Sequence, residues 1–239
     1  MNDLITDVGI DLDGVIYPFI DAFKIYCKER LNVSYLPDAT KWNFYEDWGI
    51  DHDTFQEWIS EAAVTHKVFS TYAPDKEVVE AWQQMKDMGL GIHVMTARPQ
   101  SAWAQTADWL LTHKLKADSL HFHPSKKFLF NIAKGKAVMI DDHVQYYKEA
   151  KSSSIIPCLL DRPWNQTEDS LNRVNTLTEF IGFIKGYNSS VVIKPSAVTP
   201  VKQETPPWIY PDKKKQNKDL IFRNQSYPQE PNFFMRQPD

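Results

Sequence analysis

Four short apolar runs set the limits on what this chain can fold into. Leu4–Leu12, Gly91–Met95, Ala137–Ile140 and Ile155–Leu160 each lead into charged or turn-forming residues. The followers are Asp13-Gly14, Thr96-Ala97-Arg98-Pro99, Asp141-Asp142-His143 and Asp161-Arg162-Pro163. Runs this short and continuous suit strands buried on both faces. Helical patterns fill the gaps. Asp75–Met88 has apolar residues at helical spacing and stops at Gly89, and Ser101–His113 carries them at 103, 107, 110 and 111. The alternation predicts an α/β fold with a Rossmann-like parallel sheet.

Between the first two runs lies a long insert rich in Phe, Tyr and Trp. It contains DAFKIYCKERL and DHDTFQEWISEAA, the second opening on a capping Asp, and both fit amphipathic helices. The insert reads as a small helical cap after the first strand. Beyond Gly186 the chain turns to Pro, Ser, Lys and Asn without a sustained period, as in NSSVVIKPSAVTPVKQETPPWIYP. The expected organisation is a core of residues 1–18 plus 73–185, a cap of 19–72 and an extended or disordered tail of 186–239.

Composition removes several function classes. A formal net charge of −4 gives no overall attraction for nucleic acid or anionic membrane. Two cysteines, Cys27 and Cys158, support neither a disulfide framework nor a zinc cluster, which fits a reducing, cytoplasmic compartment. The first residues lack a basic segment followed by an apolar core, so no signal peptide is expected. No apolar run approaches the roughly 20 residues of a membrane-spanning helix.

In open parallel sheets, ligands bind beyond the carboxyl ends of the strands. The run ends would therefore gather Asp11, Asp13, Thr96, Arg98, Asp141 and Asp142 at one place. So many carboxylates need a cation, and an all-oxygen set suits Mg²⁺. One Asp can then attack phosphorus, while a second, two residues on, serves as general acid and base. A hydroxyl and a lysine ammonium would hold the phosphoryl oxygens, and Lys126 and Lys127 are on offer.

The order DLDGV (11–15), MTAR (95–98), SKK (125–127) and IDD (140–142) resembles the haloacid dehalogenase-like phosphohydrolases. The resemblance implies Asp11 as nucleophile, Asp13 as acid/base, Thr96 as phosphate-binding hydroxyl and Asp141 as a principal Mg²⁺ ligand. The metal would also take the Asp11 carboxylate and the Asp13 carbonyl, with Asp142 assisting through water or directly. The family's spacing favours Lys127 as the phosphate lysine, with Lys126 as the alternative. Ala97 and Arg98 fall in the phosphate-binding segment. For Arg98, binding phosphate, orienting the Asp pair and capping a helix all remain open.

WNFYEDWGI (42–50), the short helical cap and DRPWN (161–165) are most similar to the 5′(3′)-deoxyribonucleotidase group. That likeness implies hydrolysis of a nucleoside 5′-monophosphate, with Trp42, Phe44, Tyr45 and Trp48 as a stacking wall for the base. His93, His121, His123 and His143 form no spaced zinc signature and read as structural or peripheral, and Trp164 is expected to pack against the sheet edge. Stable nucleic-acid binding and membrane contact are not expected. A homodimer and a protein contact made by the tail are left open.

Overall fold

The computed structural model describes residues 3–166 and 172–192. Six strands form one sheet in the order β3-β2-β1-β4-β5-β6, every pair parallel. They are β1 (Ile5–Ile10), β2 (Gly91–Thr96), β3 (Ser119–Phe122), β4 (Lys136–Asp141), β5 (Ile156–Leu160) and β6 (Arg173–Val174). Helices α1 (Phe19–Leu31), α2 (Phe44–Asp47), α3 (His52–Thr65) and α4 (Lys76–Asp87) separate β1 from β2. Then come α5 (Trp103–Thr112), α6 (Leu129–Ile132), α7 (Val144–Ser152) and α8 (Leu177–Val192).

The apolar runs become the central strands because both of their faces are covered. Val8, Ile10, Ile92, Val94, Val138 and Ile140 are fully buried, each contributing about 1.5–3 kcal/mol of burial. Register then decides where the site lies. Ile10 pairs with Val94 on one side and Ile140 on the other. The chain segments leaving β1, β2 and β4 therefore emerge side by side at one edge of the sheet.

The insert after β1 packs aromatic rings against one another, in one apolar cluster with the strands of the sheet. Phe23 of α1 meets Phe55 of α3 edge-on at 5.4 Å, and Trp48 lies against Phe44 at 4.8 Å. Asp51 caps α3 as expected, its carboxylate accepting from the Thr54 N–H at 2.9 Å. The two connections to the sheet are stapled together by Tyr17. Its hydroxyl donates to the Val68 carbonyl at 2.6 Å and accepts from the Thr71 N–H at 3.0 Å.

Two strands have no counterpart among the apolar runs. β3 is a half-buried edge strand and β6 has two residues. The expected break at 186 is corrected: α8 runs through Gly186 to Val192. Its apolar face packs Phe180, Ile181 and Ile184 into the core, which carries the helix past the glycine. The rest of the expected tail lies outside the described residues. Among the described residues no helix is long and apolar enough to cross a membrane.

Candidate active site

Asp11 is the first residue past β1, and its N–H donates to the Ile140 carbonyl at 3.1 Å, so the strand pairing itself carries it beside β4. Asp141 ends β4 and Asp142 follows. Gly14 makes the turn after Asp13 possible. Its φ is +83°, and a Cβ there would lie 2.0 Å from an Asp142 carboxylate oxygen. Any side chain at this position would both strain the turn and displace Asp142.

Asp11, Asp141 and Asp142 are all buried, and each offers a carboxylate oxygen within 4.8 Å of the others. Between them sits Lys126, whose ammonium donates to Asp11 at 2.6 Å and also to Asp141. It lies 4.2 Å from the centre of the Tyr146 ring. Burial opposes the Lys126 charge, yet the attraction of Asp11 and Asp141 outweighs it and raises the ammonium's pKa. Among the described residues, three carboxylates against one ammonium leave two negative charges without a contacting partner cation. The consequence is visible in the acids. Burial, with Lys126 opposing it only in part, pushes Asp11 up to about 7. Burial and then the neighbouring Asp141 and Asp11 push Asp142 well above the ordinary range. A buried, all-oxygen set with this charge deficit fits a divalent hard cation such as Mg²⁺.

The preference for Lys127 is corrected. Lys127 is exposed, and the buried lysine in the acidic cluster is Lys126, at 1% exposure. The loop Pro124-Ser125 turns Lys126 inward and Leu129 then buries on the same side, leaving Lys127 to face out.

Asp13 is turned away from the carboxylate trio. It accepts from Arg98 at both oxygens, Nη2 to Oδ1 at 2.6 Å and Nε to Oδ2 at 2.9 Å. The Arg98 Nη1 donates to the Phe69 carbonyl at 3.2 Å and the Thr106 hydroxyl at 2.9 Å. Thr96 is buried at the end of β2, where its hydroxyl accepts from the Arg98 N–H at 3.1 Å. That arrangement leaves the hydroxyl's own hydrogen to donate. Ala97 follows it, half-buried and facing the cavity.

The acidic cluster lies in the wall of a cavity of about 670 Å³ between sheet edge and insert. Phe44, Tyr45, Phe55 and Phe69 form apolar wall, and Gln56, Glu46 and His52 add polar groups. Phe44 and Tyr45 therefore reach the cavity as expected of a wall. Trp48 does not, and its expected place there is corrected: it packs inside the insert and its indole N–H donates to the Pro37 carbonyl at 3.0 Å. Trp42, 43% exposed, lines the cavity and lies 3.9 Å from the His143 ring.

Gln56 is a group the sequence did not single out, and two that it named, His143 and DRPWN, take places it did not give them. His143 lines the cavity rather than standing aside, with burial holding its imidazole down to about 4 and its Nδ1 without a partner among the described residues. Gln56 lines it too, with a buried amide nitrogen that has no hydrogen-bond partner among the described residues. DRPWN is a brace for the acidic cluster. The Trp164 indole donates to Asp142 Oδ2 at 3.0 Å, Asn165 to the Asp142 carbonyl at 2.8 Å, and Arg162 to the Gly14 carbonyl at 2.8 Å. An Asn two residues past an Arg-Pro pair was the available signal, since such a residue closes a one-turn helix start.

Solved structures share this architecture. A predicted phosphatase from Clostridium acetobutylicum aligns at a TM-score of 0.59 and 16% identity, over 77% of this chain and 99% of that one. A haloacid dehalogenase-like family hydrolase from Streptococcus pneumoniae aligns at 0.57 and 15% identity, over 75% and 98%. The chain has the haloacid dehalogenase-like fold. A third structure of this fold, a HAD-family hydrolase from Deinococcus radiodurans solved with bound phosphate and sodium, aligns at 0.56 and 11% identity, over 77% and 97%. The sequence matches no family model and no curated protein.

Proposed function

We propose that this chain is a Mg²⁺-dependent phosphate monoester hydrolase acting on nucleoside 5′-monophosphates, as in the 5′(3′)-deoxyribonucleotidase group. The observation that carries the reading is the buried Asp11–Asp141–Asp142 trio with Lys126 at the wall of a partly aromatic cavity. Neighbours in fold support the chemistry: the Deinococcus hydrolase holds phosphate, and YfnB from Bacillus subtilis, aligned at a TM-score of 0.55 with 10% identity over 76% of this chain and 99% of that one, is bound to magnesium.

Asp11, Asp141 and Asp142 would hold the metal, which supplies positive charge against the phosphoryl oxygens. The Asp11 carboxylate attacks phosphorus, forming an aspartyl-phosphate as the bond from phosphorus to the ester oxygen breaks. Asp13 gives its proton to the departing alkoxide oxygen. Water then attacks phosphorus, Asp13 takes the water's proton, and the Asp11–phosphorus bond breaks to release inorganic phosphate. Lys126 and the Thr96 hydroxyl hold phosphoryl oxygens through the change in charge.

The nucleotide part of the reading rests on the wall opposite the acids. Phe44, Tyr45 and Trp42 offer flat apolar surface, and the Gln56 amide, with its nitrogen unpartnered, can pair with the edge of a planar heterocycle. A phosphate-release screen with Mg²⁺ over ribo- and deoxyribonucleotides and sugar phosphates tests it. Nucleoside 5′-monophosphates should be the best substrates, and Asp11→Asn should abolish release while the fold is kept. Preference for sugar phosphates would remove the nucleotidase reading and leave the phosphatase one. Inactivity on every ester would remove both.

A further inference from the structure

We propose that Arg98 is a positioning residue, which fixes the Asp13 carboxylate for proton transfer and ties it to the segment returning from the cap. The inference rests on the phosphatase reading above. Arg98 has a fully buried side chain, while the Asp13 side chain it holds is 26% exposed. Its guanidinium lies between two rings, 4.8 Å from the centre of Tyr17 and 4.5 Å from that of Phe69. The contacts account for four of its five N–H groups: Nε and Nη2 on Asp13, and two from Nη1 on Phe69 and Thr106. An arginine committed in this way cannot fork onto a substrate phosphate without releasing Asp13.

A buried charge is expensive unless paired with good geometry. Here the outcome is one orientation for Asp13, set by a two-pronged pair that lysine could not reproduce. Position in the chain adds a second role. Asp13 stands on the connection entering the insert and Phe69 on the connection leaving it. Phe69 also stacks on Phe19, the first residue of α1, at 5.6 Å. Arg98 thus joins both connections through side-chain and backbone bonds. A displacement of the cap that moves Phe69 is passed to Asp13.

The test uses leaving groups. An alkyl ester needs a proton at its departing oxygen, whereas p-nitrophenyl phosphate releases a stable phenolate without one. The ratio kcat/KM covers the steps through departure of that group. With the full chain and Mg²⁺, Arg98→Lys should lower kcat/KM about 10²-fold on the best alkyl ester of the screen and leave p-nitrophenyl phosphate nearly unchanged. In an Asp13→Asn background the same change should have no further effect, since coupled residues do not add. Thr106→Val, which removes only the anchoring hydroxyl, should give a smaller loss with the same leaving-group pattern. It decides the matter alone if Arg98→Lys does not fold. Equal losses on both esters, or additive losses with Asp13→Asn, overturn the positioning role while leaving the phosphatase intact. Wild-type turnover of p-nitrophenyl phosphate alone also overturns it. Wild-type turnover of neither ester overturns both readings.

Discussion

Lys126 and Lys127 are neighbours of one chemical type, and the structure assigns them opposite fates. Replacing Lys126 with Met keeps the length of the stem and removes the ammonium that touches Asp11 and Asp141. Taking one partner from a buried ion pair costs about 3–5 kcal/mol. For a chain of this size each kcal/mol moves the melting temperature by roughly 2–4 °C. Lys126→Met should therefore melt roughly 6–20 °C below wild type at pH 8 without added metal. At pH 5 the deficit should shrink, because protonation of Asp11, whose pKa stands at about 7, replaces the lost positive charge. Lys127→Met, at an exposed position, should stay within about 0.5 kcal/mol of wild type. Phosphate release should fall about 10²–10³-fold in Lys126→Met, the usual value of a preorganised charge donor, and hardly at all in Lys127→Met. The assay is a paired thermal melt with phosphate release on the same preparations. A stable, active Lys126→Met beside an inactive Lys127→Met would refute the geometry and restore the choice made from spacing.

The raised Asp11 pKa also contributes to how the metal-free chain responds to pH, with Asp142 acting in the same direction and His143 against it below about pH 6.5. Its folded value of about 7 lies above the ordinary aspartate value of 3.8, so the folded chain holds the proton more tightly. This contribution to stability is complete below about pH 4 and is lost as pH rises through 7. Melting temperature without metal should fall between those limits, and Mg²⁺ should raise it more at pH 8 than at pH 5; a Mg²⁺ effect independent of pH would contradict the charge deficit. Trp164→Phe keeps the ring and removes the donor to Asp142. It should weaken Mg²⁺ binding about 10-fold by calorimetry, as loss of a ligand-orienting bond does, and an unchanged affinity would show that the indole only fills space.

The strands that hold the site were legible because burial on both faces writes itself as unbroken apolar sequence. β3 was not, since SLHF is a half-buried edge strand in which Ser119 and His121 interrupt the apolar sequence. The acidic residues were legible because strand ends converge in any parallel sheet. Lys126 was not separable from Lys127, because a loop has no period that tells which of two adjacent side chains turns inward. The aromatic residues of the insert posed a different problem. A segment so small needs much of its apolar surface for packing, and Trp48 is used up in it while Phe44 and Tyr45 serve both core and cavity. Arg98 stood out as a candidate, but its partners Asp13 and Phe69 lie 85 and 29 residues away, and Thr106 stands eight residues on, in the next helix. Only folding brings these together.

The central claim is that phosphate passes through Asp11. The direct measurement is to quench the enzyme in acid during turnover with Mg²⁺ and map the modified peptide by mass spectrometry. One phosphoryl group on the peptide carrying Asp11, removed by hydroxylamine and missing in Asp11→Asn, is the predicted result. Sustained phosphate release with no phosphoryl group on the protein, or with the group on another residue, would contradict it.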